Sequence, residues 1–123
     1  MIVASHVAHE LVTATVGSRD VSLTAHSALE TYSVLTRLPG DARLRPVDAA
    51  LLIEERFLSI IALSADESAV LIDELARLGI AGGAVYDALI AVSARAAGGT
   101  LVTRDRRAEA TYRKLGIAVE LIG

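Results

Sequence analysis

The rest of the sequence can be arranged around two segments, VYDALIA at residues 85–91 and VTRDRR at residues 102–107. The first is typical of an apolar helix that carries Asp87 in its first turn. The second is typical of the end of an apolar strand that is followed at once by Asp105. A third acid, Glu30, lies upstream in the mostly uncharged segment ALETY. Acids within apolar segments need an explanation, because burying an isolated carboxylate is strongly unfavourable.

Strands and helices alternate along the chain, as hydrophobic periodicity and helix-end signals indicate. Short strands are expected at residues 21–23, 59–63, 100–103 and 117–121. Helices are expected at residues 4–16, 25–37, 46–57, 65–78, 84–97 and 106–115. A capping box, Ser64 with Glu67, predicts the start of the fourth of these helices. The pattern predicts one α/β domain at residues 1–123, with a short parallel sheet flanked by helices in a three-layer sandwich.

The expected first strand is missing from this pattern. Residues 4–16 are predicted to be a helix, and Ile2 with Val3 forms at best a remnant of a strand. We therefore expect an N-terminally shortened domain. A sheet without that strand exposes its edges and its apolar helix faces. The sequence consequently predicts a homodimer, with strands or helices swapped between copies, or stabilisation by another protein.

Composition excludes several classes of protein. The chain has no cysteine, which excludes disulfides, thiol nucleophiles and thiolate metal sites. No apolar run approaches the ~20 residues that span a bilayer, and the N-terminus lacks a charged signal region. These features predict a cytoplasmic protein. The net charge of -3 argues mildly against a nucleic-acid binder. However, Arg104, Arg106 and Arg107 cluster around Asp105 and could contact a phosphate backbone.

The acids predict a metal site as one of two alternatives. In parallel sheets, sites form beyond the carboxyl ends of the strands, where Asp105 is expected. If Glu30, Asp87 and Asp105 converge, they repel one another unless a cation lies between them, and carboxylates suit Mg²⁺ or Mn²⁺. The other alternative is structural. In that interpretation Asp87 complements its helix dipole and Asp105 caps the basic helix that follows.

Three segments together resemble motifs of the PIN-domain family: LETYSVLTRLP at residues 29–39, YDALIA at residues 86–91 and LVTRDRR at residues 101–107. In order and spacing they are most similar to the VapC-type toxins of bacterial toxin–antitoxin pairs. The resemblance implies a small α/β sandwich, commonly a homodimer, that is neutralised by a VapB-type antitoxin. It also implies a Mg²⁺- or Mn²⁺-dependent endoribonuclease that cleaves RNA phosphodiesters with a metal-activated water.

The resemblance also assigns roles to individual residues. Glu30, Asp87 and Asp105 correspond to the catalytic, metal-binding acids of the family, and Thr103 corresponds to a small polar residue beside the site. The basic cluster at residues 104–107 would contact RNA phosphates or the carboxylates of an antitoxin.

One element of the family pattern is absent from the sequence. The family opens with a strand that carries an aspartate, and nothing in this chain matches it, so the resemblance places that strand before Met1. Two functions therefore remain open. The chain is either an active ribonuclease or a catalytically silent PIN-like module that binds an antitoxin or itself. A receiver-type signalling domain is disfavoured, because no acidic pair follows an early strand.

Histidines and tyrosines are weaker candidates for functional residues. His6 and His9 lie one helical turn apart, which is more typical of a solvated helix face than of a metal site. His26 is expected to pack or cap near the helix of Glu30. The tyrosines, at positions 32, 86 and 112, are expected to be partly buried packing residues with solvated hydroxyl groups.

Overall fold

The computed structural model describes residues 1–5 and 21–121. Within them, five strands form one parallel sheet in the order β3-β2-β1-β4-β5. The strands are β1 (Ile2–Ala4), β2 (Val21–Thr24), β3 (Ile60–Ile61), β4 (Thr100–Thr103) and β5 (Val119–Leu121). The α-helices described are α1 (Ala25–Leu35), α2 (Pro46–Arg56), α3 (Ala65–Leu78), α4 (Ala84–Ala96) and α5 (Glu109–Lys114). The predicted α/β fold with a parallel sheet between helices is confirmed.

The prediction of a missing first strand is wrong. β1 is the central strand, and it pairs in parallel with β2 on one side and with β4 on the other. Three residues are enough at this position because both neighbours pair with them, whereas a sequence pattern this short cannot be distinguished from a loop. Exposed sheet edges left by a missing strand are therefore no reason to expect swapping. The predicted helix at 4–16 conflicts with the strand at Ala4, and its remainder from residue 6 onward lies outside the described residues.

Helix ends follow the local signals closely. The capping box that starts α3 is present, with the Ser64 hydroxyl accepting from the amide of Glu67 and the Glu67 carboxylate accepting from the amide of Ser64. α3 ends at Gly79, whose φ of 69° lies in the left-handed region that glycine adopts without strain. The basic helix predicted at 106–115 is divided in two. A 3₁₀ turn at Arg106–Ala108 precedes α5, and Asp105 caps that turn.

Two apolar cores lie on opposite faces of the sheet, as the alternation of side chains along a strand requires. Val3 and Leu101 face the larger core, which α3, α4 and α5 cover. Ala4 and Leu23 face the smaller core, which α1 and α2 cover. Helices on both faces give the three layers that the sequence predicted. None of the helices within the two described ranges is long and apolar enough to cross a membrane.

The order of the strands determines where a site can form. From β1 the chain proceeds outward to β2 and β3, and it then returns to the other side of β1 to form β4 and β5. The carboxyl ends of β2, β1 and β4 therefore lie side by side at the point where the strand order reverses. Crevices at such points are the usual binding sites of open parallel sheets.

Candidate active site at the carboxyl edge of the sheet

Buried hydroxyl groups line this edge. Strand register pairs Ala4 with a residue of β2 and a residue of β4, so that Ser5, Thr24 and Thr103 follow at one level. Each of these three residues is at most 3% exposed. The Ser5 hydroxyl donates to Oγ1 of Thr103 at 3.0 Å, and Oγ1 of Thr24 accepts from the amide of Ser27 at 3.0 Å, which caps α1.

Tyr112 of α5 lies beneath this edge and is fully buried. Its hydroxyl group has no hydrogen-bond partner of normal geometry among the described residues, although the hydroxyls of Ser5 and Thr103 influence it. Burial raises the pKa of Tyr112 to about 12, and the negative charges of Asp87 and Asp105 add to this effect. We call Ser5, Thr103 and Tyr112 the floor of the site, because all three are buried and uncharged at neutral pH.

Asp105 is held directly at the end of β4. Its amide donates to Oγ1 of Thr103 at 3.0 Å, which places Thr103 beside this acid. Its Oδ1 accepts from the amide of Arg107 at 3.0 Å and from Nε of Arg107 at 3.3 Å. The predicted capping role of Asp105 is therefore confirmed. Both of these contacts use Oδ1, so capping does not exclude a further role for the carboxylate.

Asp87 lies in the first turn of α4, as predicted, where its charge complements the helix dipole. α4 ends shortly before β4 begins, so its first turn lies at the carboxyl edge, and the charge of Asp87 contributes to the raised pKa of Tyr112. Asp87 and Asp105 belong to different elements, yet both charges act on the same buried hydroxyl. The structure thus brings these two predicted site acids to the same part of the carboxyl edge.

Glu30 has a different environment on α1. Its Oε2 lies 3.6 Å from Nε2 of His26, one turn earlier on the same helix. The imidazole of His26 stacks on the ring of Tyr86, with centroids 5.2 Å apart and planes inclined by 14°. Glu30 is not among the charges that act on Tyr112. It is connected to the helix of Asp87 through the two rings.

We call Glu30, Asp87 and Asp105 the rim of the site. No group of three or more His, Asp or Glu side chains within residues 1–5 and 21–121 is arranged to hold a metal ion. The assignment of all three rim acids as joint ligands therefore stays a prediction. The chemistry of the donors does suit a hard cation, because carboxylates and hydroxyls are the oxygen ligands that Mg²⁺ and Mn²⁺ prefer.

The basic residues predicted to contact RNA or an antitoxin, Arg104, Arg106 and Arg107, are all exposed. Arg107 pairs with the rim through Asp105, at 3.3 Å. They lie directly after β4, at the same edge as the floor. Their exposure makes them accessible to a charged ligand, and their predicted role stays a prediction.

The sequence prediction missed three features of the site. Ser5 was placed in a helix, and Tyr112 was expected to have a solvated hydroxyl, which is wrong because α5 packs it against the sheet. The stacking of His26 on Tyr86 was not expected either. The only signal in the sequence for Ser5 is its position two residues after the apolar Val3, because residues two apart lie on the same face of a strand. The predicted pair of histidines at positions 6 and 9 lies outside the described residues.

Comparisons with known proteins identify the family of the chain. The family model described as PIN domain matches residues 1–114. The chain is 48% identical over 119 residues to Ribonuclease VapC27 of Mycobacterium tuberculosis (strain ATCC 25618 / H37Rv), which covers 97% of this chain and 87% of that protein. It is also 48% identical over 106 residues to Ribonuclease VapC40 of M. tuberculosis (strain CDC 1551 / Oshkosh), which covers 85% of this chain and 79% of that protein.

No solved structure matches the chain. The family is nevertheless shown by the domain match and by both relatives, and the parallel sheet with its switch-point edge is consistent with it. This chain belongs to the VapC-type branch of the PIN-domain family.

Proposed function

We propose that the chain is an endoribonuclease that depends on a divalent cation and cleaves RNA phosphodiesters at the carboxyl edge of the sheet. The observation that carries this proposal is that Asp87, in the first turn of α4, and Asp105, just after β4, both contribute to the raised pKa of the buried Tyr112 hydroxyl. Two relatives that are 48% identical to the chain are named ribonucleases, which supports the same activity.

The rim acids are the residues that would hold the cation, Mg²⁺ or Mn²⁺, with Glu30 completing the set from α1. A bound cation supplies Lewis acidity at the phosphate and lowers the pKa of a water molecule. The floor contributes a dry, uncharged surface beneath the acids, which strengthens electrostatic interactions above it. The exposed basic cluster at residues 104–107 would hold the phosphate backbone and neutralise charge that develops during cleavage.

The same proposal includes partners for the chain. A VapB-type antitoxin would neutralise the activity, and a second copy would form a homodimer, both in the cytoplasm. Several exposed apolar side chains are available to such partners. Leu29, Val47, Leu58, Val70 and Ile72 are each at least 58% exposed. A contact with either partner would remove such side chains from water, which is favourable.

A cleavage assay tests the proposed activity. The purified chain is incubated with structured RNA in Mg²⁺, in Mn²⁺ and in a chelator. Cleavage should require the cation, and Asp87→Asn and Asp105→Asn should each slow it by about 100-fold or more. Asp73→Asn, at an exposed position of α3, is the matched control and should cleave like the parent. Equal cleavage by all four proteins would exclude the assignment.

A catalytically silent binding module is the second candidate. It is favoured by β1 and the residue that follows it, Ser5, since neither supplies the aspartate carried by the opening strand of the family, and by the lack of three clustered ligands in the described residues. This function predicts tight binding to an antitoxin without cation-dependent cleavage by the parent. Cation-dependent cleavage that Asp87→Asn abolishes would exclude it.

A further inference from the structure

Aromatic side chains are scarce in this chain, so an exposed one calls for a physical reason. The sequence has three tyrosines, one phenylalanine and no tryptophan. Phe57 and Tyr112 are buried, and Tyr32 is 37% exposed. Tyr86 is 57% exposed, the highest value among these four residues. A large ring in water at a fixed position is a typical feature of a recognition surface.

Tyr86 is supported from one side by another ring. His26 stacks on it with a centroid distance of 5.2 Å and nearly parallel planes, at 14°. On the same helix, the carboxylate of Glu30 lies 3.6 Å from Nε2 of His26. This chain of contacts joins α1 to α4 and restrains the orientation of the tyrosine ring. A restrained ring loses less conformational entropy when a ligand stacks on it.

The pair lies directly beside the rim acids. Tyr86 precedes Asp87 on α4, and His26 contacts Glu30, so two of the three rim acids adjoin the two rings. A phosphodiester held at the rim would have its neighbouring bases within reach of Tyr86. The chain has a net charge of -3, so attraction to the phosphate backbone is weaker here than in a basic protein. Stacking is an attraction to RNA that does not depend on net charge.

We propose that the ring of Tyr86, backed by His26, is a stacking platform for one unpaired nucleobase next to the scissile phosphate. The inference rests on the proposed ribonuclease function and adds to it a residue that contacts a base beside the scissile phosphate. A paired base presents only its edge to the groove, whereas an unpaired base exposes the face that stacks on an aromatic ring.

An abasic scan tests the platform. Binding is measured by fluorescence anisotropy with 5′-labelled single-stranded RNA in Mg²⁺, in an Asp105→Asn background that prevents cleavage. Removing one base at a time should weaken binding by about 10-fold at a single position. Tyr86→Leu should weaken binding of the intact RNA by the same factor. In this variant no abasic position should weaken binding further, because the missing base and the missing ring belong to one interaction. Tyr86→Phe keeps the ring and should preserve both affinity and scan.

Controls separate the platform from other roles of the tyrosine. Tyr32→Leu removes the other exposed tyrosine, on the helix of Glu30, and should leave the scan unchanged. A fully paired RNA of the same sequence should bind Tyr86→Leu and the Asp105→Asn parent with equal affinity. The inference is overturned if the Tyr86→Leu scan still shows the sensitive position. It is also overturned if Tyr86→Leu alters only self-association in sedimentation.

Failure of the proposed function gives a different result from failure of the platform. If Asp105→Asn cleaves RNA as fast as the parent, the assignment of the rim acids fails. If the parent cleaves with cation and the abasic scan is flat, the ribonuclease stands and the platform is excluded.

Discussion

The floor and the rim of the site differ in burial and in charge. The floor residues are buried, uncharged and placed by strand register and by packing of α5. The rim acids lie on α1, on α4 and after β4, and two of them pair with side chains that reach solvent: Glu30 with His26, and Asp105 with Arg107. The chain thus keeps charge where water and counter-charges stabilise it, and puts hydroxyls where a carboxylate would be dehydrated. The contrast matters most at Ser5, because it is a buried hydroxyl residue at the end of the central strand.

Replacing Ser5 by an acid should have the largest effect on stability and on cation binding. Ser5→Asp adds a carboxylate at the end of β1, near two rim acids, so without cation the domain should lose about 3 kcal/mol of stability. With cation, the new carboxylate should tighten Mn²⁺ binding by about 10- to 100-fold. Calorimetric titration and thermal unfolding with and without chelator measure both effects. Ser5→Asn is the uncharged control, and equal Mn²⁺ affinity in the two variants would contradict this account of the floor.

Alkaline unfolding probes the floor through Tyr112. Its folded-state pKa of about 12 exceeds the ordinary value of 10.0. Because folding disfavours the phenolate, the stability of the domain has its full value below pH 10 and falls by on the order of 2–3 kcal/mol as the pH rises through about 12. Urea unfolding over this range should show a smaller decline for Tyr112→Phe than for the parent.

Tyr112→Phe allows a second prediction near neutral pH. There Tyr112→Phe should be as stable as the parent or more so, because its hydroxyl makes no hydrogen bond of normal geometry within the described residues. Tyr86→Phe, at an exposed position, controls for loss of a hydroxyl. Parallel alkaline curves for the parent and Tyr112→Phe would show that the floor is not closed to water.

Glu30 should contribute less to cleavage than the other two rim acids. Its charge is not among those acting on Tyr112, and it pairs with His26 instead. Glu30→Gln should slow cation-dependent cleavage by about 10-fold, and stability should change by less than about 0.5 kcal/mol because the side chain is 41% exposed. Glu55→Gln on α2 is the control. A loss as large as that of Asp87→Asn would place Glu30 among the central ligands.

The cap of α3 tests whether stability and the site are separable. Ser64→Ala should cost about 1 kcal/mol in urea unfolding and leave the cleavage rate unchanged, because α3 carries neither floor nor rim residues. Hydrogen bonds from the backbone and side chain of Ser64 hold the pKa of Glu67 below its ordinary value of 4.5. This contribution is present above pH 4.5 and is lost as the pH falls through the folded-state pKa, so Glu67→Gln should flatten the acid side of the stability curve. A slower cleavage rate in Ser64→Ala would show that the stability of α3 and the activity of the site are coupled.

Local signals in the sequence predicted most of the fold. The capping box at Ser64, the glycine that ends α3 and the apolar strand before Asp105 all depend on neighbouring residues, and each was confirmed. β1 was missed because its three residues are a strand only through pairing with two distant strands. The hydrogen bond between Ser5 and Thr103 joins residues 98 positions apart, so no local pattern could indicate it.

The site was predicted less completely for the same reason. The resemblance supplied the three rim acids, but it could not show that two of them act on Tyr112 while the third pairs with His26. These relations depend on how α1, α4 and α5 pack around the sheet, which side-chain periodicity does not specify.

The most direct test of the central claim is the rate of RNA cleavage as a function of Mn²⁺ concentration, measured for the parent and for Asp87→Asn. If the rim holds the cation that cleavage needs, the parent rate rises to a plateau with Mn²⁺. The Asp87→Asn curve should then shift to higher Mn²⁺ and reach a plateau about 100-fold lower. Superimposable curves, or a parent rate that does not depend on Mn²⁺, would contradict the account.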